Sequence, residues 1–355
     1  MNGLFKELIR CAVTADGSLR SVPEDSEWSE LLKTARKQSV IGVTFPVIDR
    51  LPTESGPSLG VYSKWALLDE KIRSNYGKTL SRARELCGIL DQAGFKYCIL
   101  KGIGTARFYP EPARRQSGDI DIWIKGNRNE TVAFFRDRWA VKDVVYHHCD
   151  AAVFPDVKVE VHFTPSWMND PFANRRLQQY YRDSFEKQSS NPDDGLGVPV
   201  TTVEFSAVHC LVHIYRHILF EGVGLRQFMD MYFILSSISD SGRAEVRETI
   251  ESLGLKRCAR AVMYVLKELF GMEEDKLLFE PDSRTGKFIL KEVELSGNFG
   301  IFDKRSKKVK GLSPVRKACV RMSRLARFIG FAPMEVIFAP VFKTWQYFWR
   351  KQYNT

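Results

Sequence analysis

Two aspartates stand one residue apart in the run DIDIWIK, Asp119 and Asp121, and a glutamate and a histidine keep the same interval in VKVEVHF, Glu160 and His162. Both runs alternate in polarity, the period-two pattern of a half-buried strand. Alternation puts Asp119, Asp121, Trp123 and Lys125 on one face and Ile120, Ile122 and Ile124 on the other. In the second run Lys158, Glu160 and His162 share a face, while Val157, Val159, Val161 and Phe163 turn to the core. Two steps of strand rise set the aspartate Cα atoms roughly 6–7 Å apart. Both carboxylates therefore reach one cation or a pair, and Glu160 joins them if the two strands are neighbours. Three carboxylates at close range repel one another without compensation. Mg²⁺ (or Mn²⁺) supplies it, because such hard ions take oxygen ligands and keep phosphate oxygens in their shell. Two such ions about 3.5–4 Å apart clamp the attacking and leaving oxygens of a phosphoryl transfer. The plain alternative is a DxD on a solvated sheet face.

The elements that must hold these residues are legible around them. Residues 1–50 read as helical, with Trp28, Leu31, Leu32, Ala35 and Val40 at helical spacing. A Pro/Gly/Ser loop at 51–60 leads to one long helix over 61–93, ended by Gly94 as a C-terminal cap. Phe95–Leu100 reads as a buried strand, Ile103–Phe108 as a short helix, and YPEPARRQSG as a loop before the strand Asp119–Lys125. A helix with Asn127 or Asn129 as its N-cap follows, then a three-strand meander over DVVYHHC, AAVF and VKVEVHF. Beyond Pro171 the chain turns helical, with an exposed loop at 189–200 and helices at 203–221, 224–239, 241–253 and 255–271. The fold class expected is α+β: a mixed sheet with helices, flanked by helical regions at both ends. The boundaries expected are a helical region over 1–75, an α/β core over 76–170, a helical domain over 171–300 and a basic, aromatic-rich helical tail over 301–355.

The loop and turn around the aspartates complete a pattern. It comprises Lys101-Gly102 at a strand end, Tyr109-Pro110, Arg115 four residues before Asp119, the DxD itself, and Glu160-Val161-His162 on a later strand. This resembles the nucleotidyltransferase superfamily typified by DNA polymerase beta, in which a glycine turn opening a helix precedes a DxD strand and a third carboxylate lies on a later one. It is closer still to an uncharacterised bacterial family described as nucleotidyltransferase-like. Trp28, Ala35, the long helix, GLRQFMD at 224–230 and RLARFIGFAP near the end also resemble that family. One departure stands out. Lys-Gly replaces the superfamily's Gly-Ser or Gly-Gly turn, and the distance from Gly102 to Asp119 is longer than usual.

The resemblance implies transfer of a nucleoside monophosphate from an NTP to an acceptor, be it sugar, antibiotic, protein or RNA. Asp119, Asp121 and Glu160 would be its metal and catalytic carboxylates, and Lys101, Gly102 and Arg115 its nucleotide-binding residues. Each supporting residue also has a plain reading. Lys101 suits phosphate at a helix N-terminus and equally a carboxylate across the sheet. Arg115 and its neighbour Arg114 suit a bidentate grip on phosphate or an ordinary surface loop. His162 could line the pocket or sit satisfied and half-buried. His209, His213 and His217 recur every four residues, so they stack on one helix face. Packing is the common fate of such a stripe; zinc ligation and an acceptor-side lining are the sharper ones. Arg226 and Asp230 have the spacing of a helical ion pair, with Arg226 a second candidate for the acceptor side. A protein that binds nucleotide without turnover is the alternative from another class.

Composition sets the outer limits. The chain of 355 residues is 44% hydrophobic and 27% charged, which excludes disordered, collagen-like and disulfide-scaffold classes. Seven scattered cysteines without a CxxC pair point to free thiols in a reducing compartment, hence the cytoplasm. No signal peptide and no transmembrane span are expected. The formal charge of +10 is not spread evenly: residues 304–355 hold 13 Lys and Arg against the single acid Glu335, and the rest is close to neutral. The same segment carries Phe328, Phe331, Phe338, Phe342, Trp345, Tyr347, Phe348 and Trp349. It fits either a helix packed on the body or an interfacial helix on an anionic membrane surface, which would make the protein membrane-peripheral.

Overall fold

A computed structural model of the chain describes residues 1–14, 19–191, 195–305 and 313–353. Three helices, α1 (Gly3–Thr14), α2 (Asp25–Gln38) and α3 (Ile41–Asp49), precede the long α4 (Leu59–Gln92). The α/β segment then runs β1 (Tyr97–Ile99), α5 (Ile103–Ala106), β2 (Asp119–Ile124), α6 (Arg128–Arg136), β3 (Val141–Lys142), β4 (His148–Ala151) and β5 (Lys158–His162). Helices α7 (Pro171–Ser189), α8 (Val203–Phe220), α9 (Leu225–Ser237), α10 (Asp240–Ser252), α11 (Lys256–Val265), α12 (Ser283–Ser296), α13 (Pro314–Ala326) and α14 (Pro333–Tyr353) complete it. The fold is α+β with a mixed sheet. Among the described residues no helix is long and apolar enough to cross a membrane.

The five strands are ordered β1-β2-β5-β4-β3, with β2 and β5 parallel and the other pairs antiparallel. Alternation decides what each face meets. Ile120, Ile122, Ile124, Val159 and Val161 pack in one apolar cluster with Leu86 and Leu90 of α4 and Phe135 of α6. On the other face Trp123 enters a second cluster, its ring 4.7 Å from that of Phe185 on α7 and 5.7 Å from that of Phe205 on α8. The sheet is thus covered on both sides, and the aspartates lie where the second cover begins. That second cluster also takes in Phe5, Trp28 and Trp65, so the first helices and the later ones share one core. Polar bonds tie them as well: Gln38 Nε2 donates to the Val293 carbonyl at 3.2 Å, and Asn298 Nδ2 to Ser39 Oγ at 2.9 Å.

Two expectations are corrected, and one open alternative is decided. DVVYHHC is not a strand. β3 ends at Lys142 because Asp143 takes a left-handed φ of 50°, and β4 instead straddles the expected boundary, drawn into register by β5 with His148 opposite His162. The segment 189–200 is not exposed throughout, since Val198 and Val200 are buried and Val200 bridges Ile99 at the sheet edge in parallel. Of the two placements open to the tail, packing on the body is the one seen. Phe328 and Phe331 are buried, and Phe342, Trp345 and Trp349 on α14 place their rings 6.1, 5.4 and 6.5 Å from Tyr146. The opposite face of α14 leaves Ile337, Val341, Tyr347 and Phe348 exposed. Residues 306–312 of the basic segment lie outside the described residues.

Candidate active site

The register of β2 on β5 sets Asp121 directly beside Glu160. One oxygen each of Asp119, Asp121 and Glu160 lie within 4.8 Å of one another. Asp121 is fully buried. Its Oδ1 accepts from Lys101 Nζ at 2.8 Å and from His162 Nε2 at 2.9 Å, while its Oδ2 is buried with no partner. Glu160 accepts from Lys158 at 2.7 Å, and its other oxygen lies 3.6 Å from His162 Nε2.

Electrostatics separates the three carboxyls. The neighbouring Asp121 charge, together with burial, pushes Asp119 above the ordinary aspartate range. Burial opposes ionisation of Asp121, but Lys101 and the His162 hydrogen bond outweigh it and hold the group below its usual value. Glu160 is lowered as well, by His162 and Lys101 against burial. His162 answers in kind: burial disfavours its charge, and the hydrogen bonds to Asp121 and Glu160 raise it.

Of the two readings of Lys101, the structure takes the carboxylate. β1 ends with Leu100 N donating to the Asp121 carbonyl at 2.9 Å, and Gly102 turns the chain at φ 67° close above the Asp119 carbonyl. An L side chain would be strained at that angle. The Lys101 ammonium is thereby brought over β2 rather than out to solvent.

Arg115 lines the cleft and also meets a buried partner. Its guanidinium is 5% exposed and grips Asp230 through Nε at 2.7 Å and Nη2 at 2.8 Å. Nη1 donates to Ser117 at 2.9 Å, and Tyr109 donates to the same aspartate at 2.6 Å. The motif residues Tyr109 and Arg115 therefore clamp the loop before β2 onto α9, and little of that guanidinium is left for phosphate. Asp230 pairs with Arg115 and not with Arg226. Arg226 instead donates to the Gln116 carbonyl at 2.7 Å, with its Nε buried and unpartnered. Arg114 is turned inward between Glu111, at 3.1 Å, and the buried Asp69, at 3.6 Å.

The cleft has two halves that share Lys101, Asp119, His213 and Phe299. Gly102, Thr105, Arg226 and His209 line one; His147, His148, Asp150, Glu160, His162 and His217 line the other. All six histidines of the chain thus converge here. Burial keeps most of them neutral, His147 and His213 well below the ordinary value and His209 down to about 3. The stripe His209, His213 and His217 faces this cleft. His217 Nδ1 lies 3.1 Å from Glu221, and none of the three joins a group close enough to share a metal ion among the described residues.

Sequence reasoning missed β4. His148 stands opposite His162 and Asp150 opposite Glu160, and His148, Glu160 and His162 form a second group able to share an ion. The signal was present: His148 and Asp150 keep the same period-two interval as the DxD. Arg216, Trp167 and Lys343, which line the same half, carried no such signal.

A DxD strand beside a parallel strand bearing a third acid, on a helix-backed mixed sheet, defines a nucleotidyltransferase architecture. The chain belongs to the family described as uncharacterised nucleotidyltransferase, whose model matches residues 24–271. The tail, read from sequence as part of the same resemblance, lies outside that match. No curated relative matches the chain. Among solved structures it is similar to an antigenic nucleotidyltransferase-like protein from Paracoccidioides brasiliensis, at 14% identity and a TM-score of 0.34, over 58% of this chain and 95% of that one.

Proposed function

We propose that the protein transfers a nucleoside monophosphate from an NTP to an acceptor hydroxyl, in a reducing, cytoplasmic setting that suits its seven free cysteines. The observation that carries this reading is the carboxylate trio with its buried, unbonded Asp121 oxygen. Lys101, His162 and Lys158, the last shared with Asp150, offset only part of the charge gathered here, and the donor set is all oxygen, as Mg²⁺ or Mn²⁺ prefers. Asp119, Asp121 and Glu160 would hold the ion, which supplies charge neutralisation on the phosphates and acidifies an oxygen bound to it.

The chain's own residues divide the remaining work. Lys101 and the Gly102 turn border the phosphates. Arg226, with its free Nε, takes the place on the nucleotide side that sequence gave to Arg115. Asp119, the carboxyl most easily protonated, faces both halves of the cleft. Glu160, lowered by His162 and Lys101 against burial, suits ion holding. In the transfer the acceptor hydroxyl gives its proton to Asp119, its oxygen bonds to the α-phosphorus, the bond to the β-phosphate bridging oxygen breaks, and pyrophosphate leaves. Positioning supplies most of the acceleration in such chemistry.

The test incubates the protein and Mg²⁺ with α-labelled NTPs and fractionated cell extract as acceptor source. Label should move to a product, and Asp121→Asn should cut transfer at least ~100-fold, the scale of several kcal/mol of lost charge stabilisation. Full activity in Asp121→Asn would sink the assignment.

A further inference from the structure

Beyond Glu160 the cleft continues between α8, the β5–α7 connection and α14. Arg216 of α8 lies with its guanidinium carbon 3.0 Å from the Trp167 ring centroid. Its hydrogen bonding is thin: Nη1 lies 3.4 Å from Ser166 Oγ, and Nε is buried with no partner. Lys343 of α14 stands 6.0 Å from the same ring and 5.3 Å from Phe220, with Gln346 Oε1 at 3.5 Å. Among the described residues neither cation has a carboxylate within ion-pairing distance.

Several other arginines are satisfied. Arg115 has Asp230, Arg305 has Glu292 and Asp303, and Arg324 has Asp303. Arg226 and Arg243 lack a carboxylate but donate to the carbonyls of Gln116 and Lys276. Arg216 has neither. Of the acids lining this half, Glu221 pairs with His217, Asp150 with Lys158 and His148, and Glu160 with Lys158 and His162. Burial brings Arg216 down to about 10, and Lys343 stands exposed beside it, so two cations share this end of the cleft with no ion pair to either among the described residues. A desolvated, unpaired cation is costly unless something arrives to pair with it.

The pair sits past Glu160, on the side of β4 and α14, while Gly102, Thr105 and Arg226 line the opposite half. We infer that Arg216 and Lys343 form an oxyanion subsite for the acceptor: the molecule that offers its hydroxyl to the carboxylate trio also carries a phosphate or carboxylate. This rests on the transferase reading, and it names the class of acceptor. Trp167 supplies the flat wall beneath both cations, and its own buried Nε1 is without a partner.

Calorimetry on the full chain with glycerol 3-phosphate, glycerate and glycerol, at fixed ionic strength, tests this. The two anions should bind and glycerol should not; the stronger of the two identifies the oxyanion. Arg216→Met should weaken the anion about 10- to 100-fold, the range of a charged hydrogen bond worth ~1.5–3 kcal/mol. Lys343→Met, at an exposed position where folding is not at stake, should weaken it in the same direction. Asp121→Asn should leave anion binding intact, so loss of transfer and loss of the subsite are read separately. Anion binding unchanged in both cation variants overturns the inference. So does a Mg-ATP affinity that falls as far as the anion's in Arg216→Met, since that would give the pair to the triphosphate.

Discussion

Asp119, Asp121 and Glu160 were visible as single residues because strand alternation is a local rule: knowing the period tells which side chains point together. Arg115 was not, because its partner lies 115 residues away and nothing near it in sequence announces Asp230. A free arginine before a DxD looks like a phosphate ligand until the fold supplies a buried carboxylate. The pair's burial makes it a sensitive point. Removing one partner leaves the other charged and dry, so Asp230→Asn or Arg115→Met should cost ~3–5 kcal/mol in urea unfolding. The double variant Arg115→Met/Asp230→Leu should recover a large part of that loss. Equal costs for single and double variants would show that the clamp does not act as a unit.

At the scale of elements, long periodic helices and the two alternating strands were legible, and their neighbours were less so. β4 was split by a false boundary because the alternation in HCDA is short and its apolar members, Cys149 and Ala151, are small; its register comes from β5. α12 went unread because KFILKEVEL mixes β-branched and helix-forming residues, and its start is set by the Asp282 cap. The role of the first helices was also hidden. Gly42 on α3 packs so closely on the loop before β2 that a Cβ there would meet the Arg114 carbonyl at 2.5 Å. Backbone cannot swing away as a side chain does. Gly42→Ala should therefore cost ~1–3 kcal/mol by overpacking and should lower nucleotide transfer by shifting the Arg114–Arg115 loop. Gly77→Ala, exposed on α4 with open space around it, should instead gain up to ~1 kcal/mol from helix propensity. Thermal unfolding of the two variants side by side checks both signs.

For the molecule as a whole, sequence correctly set the basic tail against the body but could not say what it touched. Glu335, the tail's one acid, accepts from the main-chain amides of Asn169 at 2.9 Å and Asp170 at 3.1 Å, just where α7 begins. Glu335→Ala should strand those donors and cost ~1–3 kcal/mol, whereas charge reversal at the exposed Arg316 should cost little.

The buried histidines make stability depend on pH. His147, His209 and His213 have folded values below their unfolded ones. Their contribution is full above the ordinary histidine value and is lost as pH falls toward the folded values, because the unfolded chain takes up the protons first. Each can add a slope of up to ~1.4 kcal/mol per pH unit. In metal-free buffer the melting temperature should drop between pH 7 and 5, and His209→Gln should make that drop shallower. An unchanged slope in His209→Gln would contradict its burial as the neutral form.

That the histidines all gather in one cleft has a practical side. In D2O, once the amides have exchanged, the imidazole Hε1 protons resonate downfield of most carbon-bound protons. In this protein, every histidine signal in that window comes from the cleft. A one-dimensional spectrum, with no labelling and no assignment of the other 349 residues, is already a local probe of whatever enters.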